Sequence, residues 1–240
     1  MNKTLLTLAL ALVVGSAQAV PLTDLLAGGS LTAGDKLFDQ WTLHFHDASD
    51  GRSLSPNNID VTALNDGGVD PGPGLRFDIL NGEFSVTGDG VFAYLDIRFG
   101  FRASVLEPGL RIKDNTLTLT NGTRTDSGDN GVYIRETIGT VSGGDDLGIK
   151  EVEFSWLDPS NSTSNMIDMA AFAPQREVWV NKNILVWATE QGETANLVQF
   201  EQRFSQMTVP EPDTLGLLAL GVACLVMIRR SDQSLPEKHF

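Results

Sequence analysis

The strict alternation between Val91 and Val105 constrains the fold of this chain more than any other feature. Every odd position in this stretch is apolar, from Val91 through Ala103 to Val105. The even positions include Asp96, Arg98 and Arg102. A helix would spread this pattern over all its faces, whereas a strand places the apolar set on one face. The stretch therefore predicts a long strand with one buried face, bent at Gly100.

The same period of two recurs along the chain and predicts about ten strands with glycine-rich turns. Asn81-Gly82 predicts a type I′ turn between strands 75–79 and 83–87, and 88–90 predicts a turn into the long strand, which together make a three-stranded meander. Asn181 to Asn183 predicts the turn of another hairpin. Only 23–27 and 164–171 suggest short helical turns. The fold class is therefore all-β, a single antiparallel β-sandwich or jelly-roll-like domain.

The first 19 residues have the organisation of a secretory signal peptide. Lys3 supplies the positive charge, and Leu5 to Val14 form an apolar stretch that is too short to span a bilayer. Ala17-Gln18-Ala19 provides the small side chains that signal peptidase needs at its cleavage site. We expect cleavage between Ala19 and Val20, which makes signal peptidase a processing partner.

The other end of the chain has three consecutive parts. Pro210-Glu211-Pro212 comes first and stops any helix from extending backwards. An uninterrupted apolar run from Leu215 to Ile228 follows, and 14 residues make a helix of about 21 Å. Arg229-Arg230 then marks the cytoplasmic side. This order predicts a transmembrane helix over 215–228 and a short cytoplasmic tail over 231–240.

This tail resembles the PEP-CTERM sorting tail of exported bacterial proteins. The resemblance rests on Pro210-Glu211-Pro212, Thr214-Leu215, the apolar run and Arg229-Arg230, so the sorting segment spans 209–230. It implies that a membrane-embedded exosortase recognises the tail and cuts near Pro210 to Pro212. It also implies an exported protein with a transient inner-membrane anchor, and then a place at the cell surface or in the extracellular matrix of an exopolysaccharide-producing Gram-negative bacterium.

The exported domain then covers residues 20–208 and is acidic. The whole chain has 17 basic and 31 acidic residues, a net charge of −14, which argues against nucleic acid as a partner. Its single cysteine, Cys224, lies in the apolar run, so the exported domain has no disulfide and its stability depends on core burial.

Two sets of residues raise the question of metal binding. His44 and His46 are two apart on a predicted strand, so their side chains should face the same way, but the exported domain has no third histidine to complete a transition-metal site. The loop around Asp126, Asp129 and Asn130 places oxygen ligands on flexible backbone and is a candidate for weak calcium binding. Turns favour Asp, Asn and Gly for local reasons as well. We expect no other cofactor.

The favoured function is a non-enzymatic surface or matrix protein associated with exopolysaccharide. No nucleophile motif is present, and the paired Glu151 and Glu153 are typical of a solvated strand face as well as of a glycosidase. A carbohydrate-active sandwich, either a lectin-like binder or a glycoside hydrolase, is the alternative. The aligned Thr116, Thr118 and Thr120 raise ice binding as a more remote one.

Overall fold

The computed structural model describes residues 18–157 and 161–209, and within them the chain is almost entirely antiparallel β-structure. One short helix, α1 (Leu22–Leu26), and a 3₁₀ turn (Pro56–Asn58) accompany the strands. The strands are β1 (Val20–Pro21), β2 (Leu31–Ala33), β3 (Lys36–Ala48), β4 (Ile59–Leu64), β5 (Gly74–Ile79), β6 (Ser85–Thr87), β7 (Ala93–Val105), β8 (Leu110–Arg124), β9 (Asn130–Gly139), β10 (Gly148–Trp156), β11 (Ser162–Asn165), β12 (Ile167–Gln175), β13 (Glu177–Ala188), β14 (Thr194–Arg203) and β15 (Gln206–Thr208).

These strands form two sheets that pack face to face as a sandwich. The seven-stranded sheet has the order β11-β10-β9-β13-β7-β3-β2. The eight-stranded sheet follows the path β1-β4-β5-β14-β8-β12, with β6 added to β14 and β15 added to β8. The chain crosses between the sheets several times, as in a jelly roll. The predicted all-β sandwich is confirmed.

An aromatic cluster fills the space between the sheets. Phe77 of the eight-stranded sheet stacks on Phe200 with ring centroids 4.4 Å apart. Trp41 stacks on Phe101 in the other sheet at 4.5 Å, and Phe77 contacts both of them. All four side chains are buried, so this cluster supplies much of the apolar burial that a cysteine-free domain needs.

The long alternating stretch is a strand from Ala93 to Val105, and its odd positions are buried as predicted. Val91, which was also predicted to be buried, precedes the strand and is 81% exposed. The predicted meander around this strand is wrong. Asn81 and Gly82 do have the positive φ values of a type I′ turn, but the strands on either side do not pair with each other. Both pair with β14 instead, β5 through Phe77 opposite Phe200, and β7 lies in the other sheet.

The predicted hairpin around Asn181 to Asn183 is also wrong, because β13 runs through these residues without a break. It pairs with β7 and β9 along its full length, with Lys182 opposite Phe99 and Glu136. The helical turn suggested over 164–171 is replaced by the ends of β11 and β12. Partner strands on both sides outweigh the local turn preference of asparagine.

Because β13 is continuous, Lys182 faces the core with the apolar residues of even number. Its ammonium group forms an ion pair with Glu136 of β9, and Lys150 of β10 lies 2.5 Å from the other oxygen of the same carboxylate. The side chain of Gln202, on β14 in the opposite sheet, donates a hydrogen bond of 2.8 Å to Glu136. We call Glu136, Lys150, Lys182 and Gln202 the core polar cluster; all four are fully buried or nearly so.

The core polar cluster contains two lysines but one carboxylate, and its pKa values reflect this imbalance. Burial lowers the pKa of Lys182 to about 8, although Glu136 acts in the opposite direction. Burial also lowers the pKa of Lys150. Burial would raise the pKa of Glu136, but the two lysines outweigh that effect and hold it below its usual range.

Candidate ligand groove on the seven-stranded sheet

A groove of about 640 Å³ lies on the solvent face of the seven-stranded sheet. Its lining comes from β3, β7, β9 and β13, and from Gly143 in the loop after β9. Successive side chains of each strand point to opposite faces of the sheet, so the residues between the buried core positions point outward into the groove. The side chains that define it are His44, Arg98, Tyr133, Arg135, Asn181 and Asn183.

Strand register places these side chains in rows across the sheet. One row runs from Arg135 through Asn183 to Arg98, each directly opposite the next. The row continues to Phe45 at one side and Glu151 at the other. Neighbouring strands are about 4.8 Å apart, so the backbones that carry the two arginines are about 10 Å apart. The groove therefore crosses several strands.

Gly100 of β7 keeps the floor of the groove open. A Cβ atom there would lie 2.6 Å from Asn181 Oδ1 and 3.1 Å from His44 Nε2. Asn181 Nδ2 has no hydrogen-bond partner among the described residues, whereas Asn183 Nδ2 donates to Asp96 over 2.9 Å. The floor is therefore polar, but Asp96 engages one amide donor and the other is buried, so the exposed donors of the groove are the guanidinium groups of Arg98 and Arg135.

Arginines on this face differ in how firmly they are held. Arg102, beyond the groove, donates two hydrogen bonds of 2.9 and 3.0 Å to Asp39. Arg98 and Arg135 each make one long contact to a carboxylate, 3.6 Å to Asp96 and 3.5 Å to Glu151. Their side chains are 55% and 48% exposed. Most of their N–H donors therefore face the groove or solvent.

Aromatic side chains border the charged row. The Arg98 guanidinium lies 5.1 Å from the ring centre of Phe45, which is 41% exposed. Tyr133 is half-buried on the other side, and burial together with a hydrogen bond to Glu151 raises its pKa to about 12. Its hydroxyl therefore stays protonated at neutral pH, with its one hydrogen directed to Glu151, and its oxygen can accept a hydrogen bond.

The two histidines do not share a face, contrary to the sequence prediction. The register of β3 against β7 shifts by one residue between Leu43 and Phe45, and this irregularity is a β-bulge. Phe45 consequently lies opposite Arg98 on the solvent face, and His46 lies opposite Ile97, whose side chain is in the core. His44 lines the groove, while His46 Nε2 is buried and has no hydrogen-bond partner in the described part of the chain. The extra residue of the bulge therefore places His44 and His46 on different faces of the sheet.

Side-chain oxygens of the acidic loop between β8 and β9 already accept hydrogen bonds from other groups of the protein. Asp126 accepts a hydrogen bond from Arg124 at 2.6 Å, and Asp129 accepts one from the Trp187 indole at 2.8 Å. Asn130 Oδ1 accepts from the Thr125 amide. Among the described residues no group of three His, Cys, Asp or Glu side chains is placed to hold a metal ion. The loop gives no geometric support to calcium binding, which stays a prediction.

The threonines of β8 have mixed neighbours. Thr116 lies between Met169 of β12 and Arg203 of β14, and Thr118 lies between Ile167 and Glu201. A flat ice-binding patch needs matching threonines on adjacent strands, and charged and bulky apolar residues occupy those positions instead. The register therefore does not support the ice-binding alternative.

Residues of the two predicted processing sites lie at the edges of the described region. Ala19 is exposed and Val20 begins β1, while Ala17 is outside the described residues. The sorting residues Pro210, Glu211, Pro212, Thr214, Leu215, Arg229 and Arg230, with the apolar helix 215–228, also lie outside them. Within residues 18–157 and 161–209, no helix is long and apolar enough to cross a bilayer.

Comparison with family models identifies the tail. Residues 208–231 match the model described as the PEP-CTERM protein-sorting motif. The chain carries a PEP-CTERM sorting motif. The motif marks it as an exported protein that is processed by exosortase, as the sequence predicted. No curated protein sequence matches this PEP-CTERM protein.

Solved structures show only distant similarity to this PEP-CTERM protein. TmCBM61 in complex with β-1,4-galactotriose is 13% identical, with a TM-score of 0.24 over 71% of this chain and 89% of the other. Endoglucanase 3 of Trichoderma harzianum, from family GH12, is 9% identical, with a TM-score of 0.23 over 69% and 97%. The family 32 module of C. perfringens NanJ, in complex with galactose, is 10% identical, with a TM-score of 0.17 over 66% and 100%. Similarities this low identify neither a ligand nor an activity.

Sequence reasoning missed both the groove and the core polar cluster, although a signal for each was present. Arg98 stands at an even position of the long alternating strand, which assigns it to the solvent face. Lys182 has the parity of Val180 and Ile184, which assigns it to the core once the strand is read through. What the sequence did not contain was the order of the strands, which brings β7, β9 and β13 together.

Proposed function

We propose that this exported protein is a non-catalytic component of the cell surface or extracellular matrix, and that it binds extracellular polysaccharide through the groove of the seven-stranded sheet. The observation that carries the proposal is the groove itself. It is long enough to cross several strands, it carries the half-exposed guanidinium groups of Arg98 and Arg135, and it is bordered by the exposed ring of Phe45, which lies against Arg98. Sugars present hydroxyls at their edges and apolar C–H faces, which suit these two kinds of group.

Absence of a carboxylate pair in the groove favours binding over hydrolysis. Glycosidases place two carboxyl groups on either side of the scissile bond. None of the described residues that line the groove is acidic. The carboxylates beside it are already engaged: Asp96 accepts a hydrogen bond from Asn183, Glu151 interacts with Tyr133 and Arg135, and Glu153 accepts a hydrogen bond from Ser155.

The proposal is tested with purified full-length protein in detergent, because the chain carries an apolar run. Binding to a panel of neutral and acidic polysaccharides is measured by co-sedimentation, with Phe45→Ala as the groove variant. Phe92→Ala is the matched control, since Phe92 is exposed to a similar extent, 44% against 41%, but packs with Tyr94, whereas Phe45 lies against the groove residue Arg98. We expect saturable binding that Phe45→Ala weakens and Phe92→Ala does not, with no release of reducing ends. Equal binding by Phe45→Ala and Phe92→Ala would refute the proposal that polysaccharide binds in the groove. Release of new reducing ends would refute the non-catalytic role.

A further inference from the structure

We infer that the polysaccharide bound in the groove is anionic, with repeated carboxylate groups that Arg98 and Arg135 recognise. This inference rests on the proposed function and adds the chemical class of the ligand. It starts from a contrast in charge. The chain as a whole has a net charge of −14, yet Arg98, Arg135 and His44 line the groove. The carboxylates beside the two arginines, Asp96 and Glu151, lie at its edge and make only long contacts of 3.6 and 3.5 Å to them.

The two arginines have the hydrogen-bonding capacity that this role needs. A guanidinium has five N–H donors arranged in a fork that matches a carboxylate. Arg102 shows such a fork already satisfied, by the two short hydrogen bonds to Asp39. Among the described residues Arg98 and Arg135 have only one carboxylate contact each, at 3.5 Å or more, and they are about half exposed. A ligand carboxylate would therefore gain short contacts without first breaking a strong pair.

Spacing favours a polymer over a small anion. Arg98 and Arg135 lie on either side of Asn183 in one row, with backbones about 10 Å apart. The Arg98 guanidinium lies against Phe45 and that of Arg135 near Glu151, toward opposite ends of the row, so one small carboxylate is poorly placed to contact both. A chain with negative charges at regular intervals can occupy both sites at once.

Overall negative charge does not prevent this interaction. At physiological ionic strength the Debye length is about 8 Å, so the distant acidic residues of the protein are largely screened. Contacts at 3 Å within the groove are screened much less. Direct recognition by arginine also differs from a bridge of divalent cations between two acidic polymers, because it needs no calcium.

The test compares alginate, a polyuronate, with the same polymer after its carboxyl groups are reduced to alcohols. Binding of the full-length protein in detergent is measured in the presence of EDTA. The variants are Arg98→Ala and Arg135→Ala, and Arg176→Ala is the control because it removes the same charge from an exposed position outside the groove. We expect alginate to bind, the reduced polymer to bind at least tenfold more weakly, and each groove variant to lose about tenfold in affinity while Arg176→Ala does not. Arg98→Lys should recover only part of the loss, since lysine keeps the charge but not the fork.

The other possible results of this experiment contradict separate parts of the proposal. Equal binding of native and reduced polymer would overturn the anionic ligand and leave the polysaccharide proposal standing. Binding that EDTA abolishes, with both groove variants unaffected, would replace arginine recognition by a cation bridge. Failure of every polysaccharide in the panel to bind would overturn the proposed function as well. Thermal melts of the variants check the fold, which we expect to be unchanged because neither arginine makes a short contact.

Discussion

Replacing Glu136 by glutamine tests the charge imbalance of the core polar cluster. Glutamine keeps the size of the side chain but removes the one negative charge that Lys150 and Lys182 contact within residues 18–157 and 161–209. Removal of one partner from a buried ion pair costs about 3–5 kcal/mol, because a buried charge is left uncompensated. We therefore expect Glu136→Gln to lower the free energy of unfolding at pH 7 by about that amount, measured by urea denaturation of the full-length protein.

Lys182→Met should have a much smaller effect, although it removes a residue from the same cluster. Methionine has a similar length and suits the aromatic neighbours of Lys182, which lies 5.3 Å from the ring centre of Phe200. The change leaves Glu136 and Lys150 as a matched pair of opposite charges. Replacement of a surplus buried charge by an apolar group is often neutral or stabilising, so we expect a change within about 1 kcal/mol or a gain. Equal losses for Glu136→Gln and Lys182→Met would refute the charge-counting argument.

The pH dependence of stability gives an independent check on the same cluster. The pKa of Lys182 is about 8 in the folded protein and 10.5 ordinarily, so between these values the unfolded chain binds more protons. Stability therefore rises with pH from about 8 upward. At about 1.4 kcal/mol per pH unit, the gain reaches about 3 kcal/mol by pH 10. Tyr133, with a folded pKa of about 12, opposes this above pH 10, so the comparison ends there. Lys182→Met should show a smaller rise, and an unchanged rise would contradict the assignment.

Three further predictions concern packing and processing. A Cβ at Gly74 would lie 2.0 Å from the carbonyl oxygen of Gln202, so Gly74→Ala should destabilise the protein by about 3 kcal/mol, whereas Gly109→Ala, in open space, should change its melting temperature little. Mass spectrometry of the exported protein should find Val20 at its N-terminus; an intact N-terminus would exclude signal-peptide cleavage. Replacing residues 210–212 by alanines should leave uncleaved protein in the membrane fraction on immunoblots, and normal processing would show that exosortase does not need this segment.

Much of the sandwich could be predicted from local pattern alone. The alternation over β7 identified its buried face correctly, because each side of a strand in a sandwich meets either the core or water. The turn at Asn81 and Gly82 was predicted from the positive φ values that these residues tolerate, and the structure has them. Both features depend on residues close together in sequence.

The sequence predictions failed where pairing between strands distant in sequence determines the structure. A turn signal at Asn81-Gly82 says nothing about whether the flanking strands pair, and β14, more than 100 residues later, pairs with both. The bulge at His44 depends on the register against β7 and has no sequence signature of its own. The groove was missed for the same reason, since its row of side chains exists only after β7, β9 and β13 are placed side by side.

Strand β13 connects the two polar features of the molecule. Asn181 and Asn183 form the floor of the groove on one face, and Lys182 between them belongs to the core polar cluster on the other. The ion pair of Lys182 with Glu136 joins β13 to β9, the two strands that carry the groove floor and Arg135. A buried ion pair is a poor source of stability but restricts which strand registers are acceptable, because a slip by one residue would expose the charges and bury the asparagines. The core polar cluster therefore holds in place the register on which the row from Arg135 to Arg98 depends.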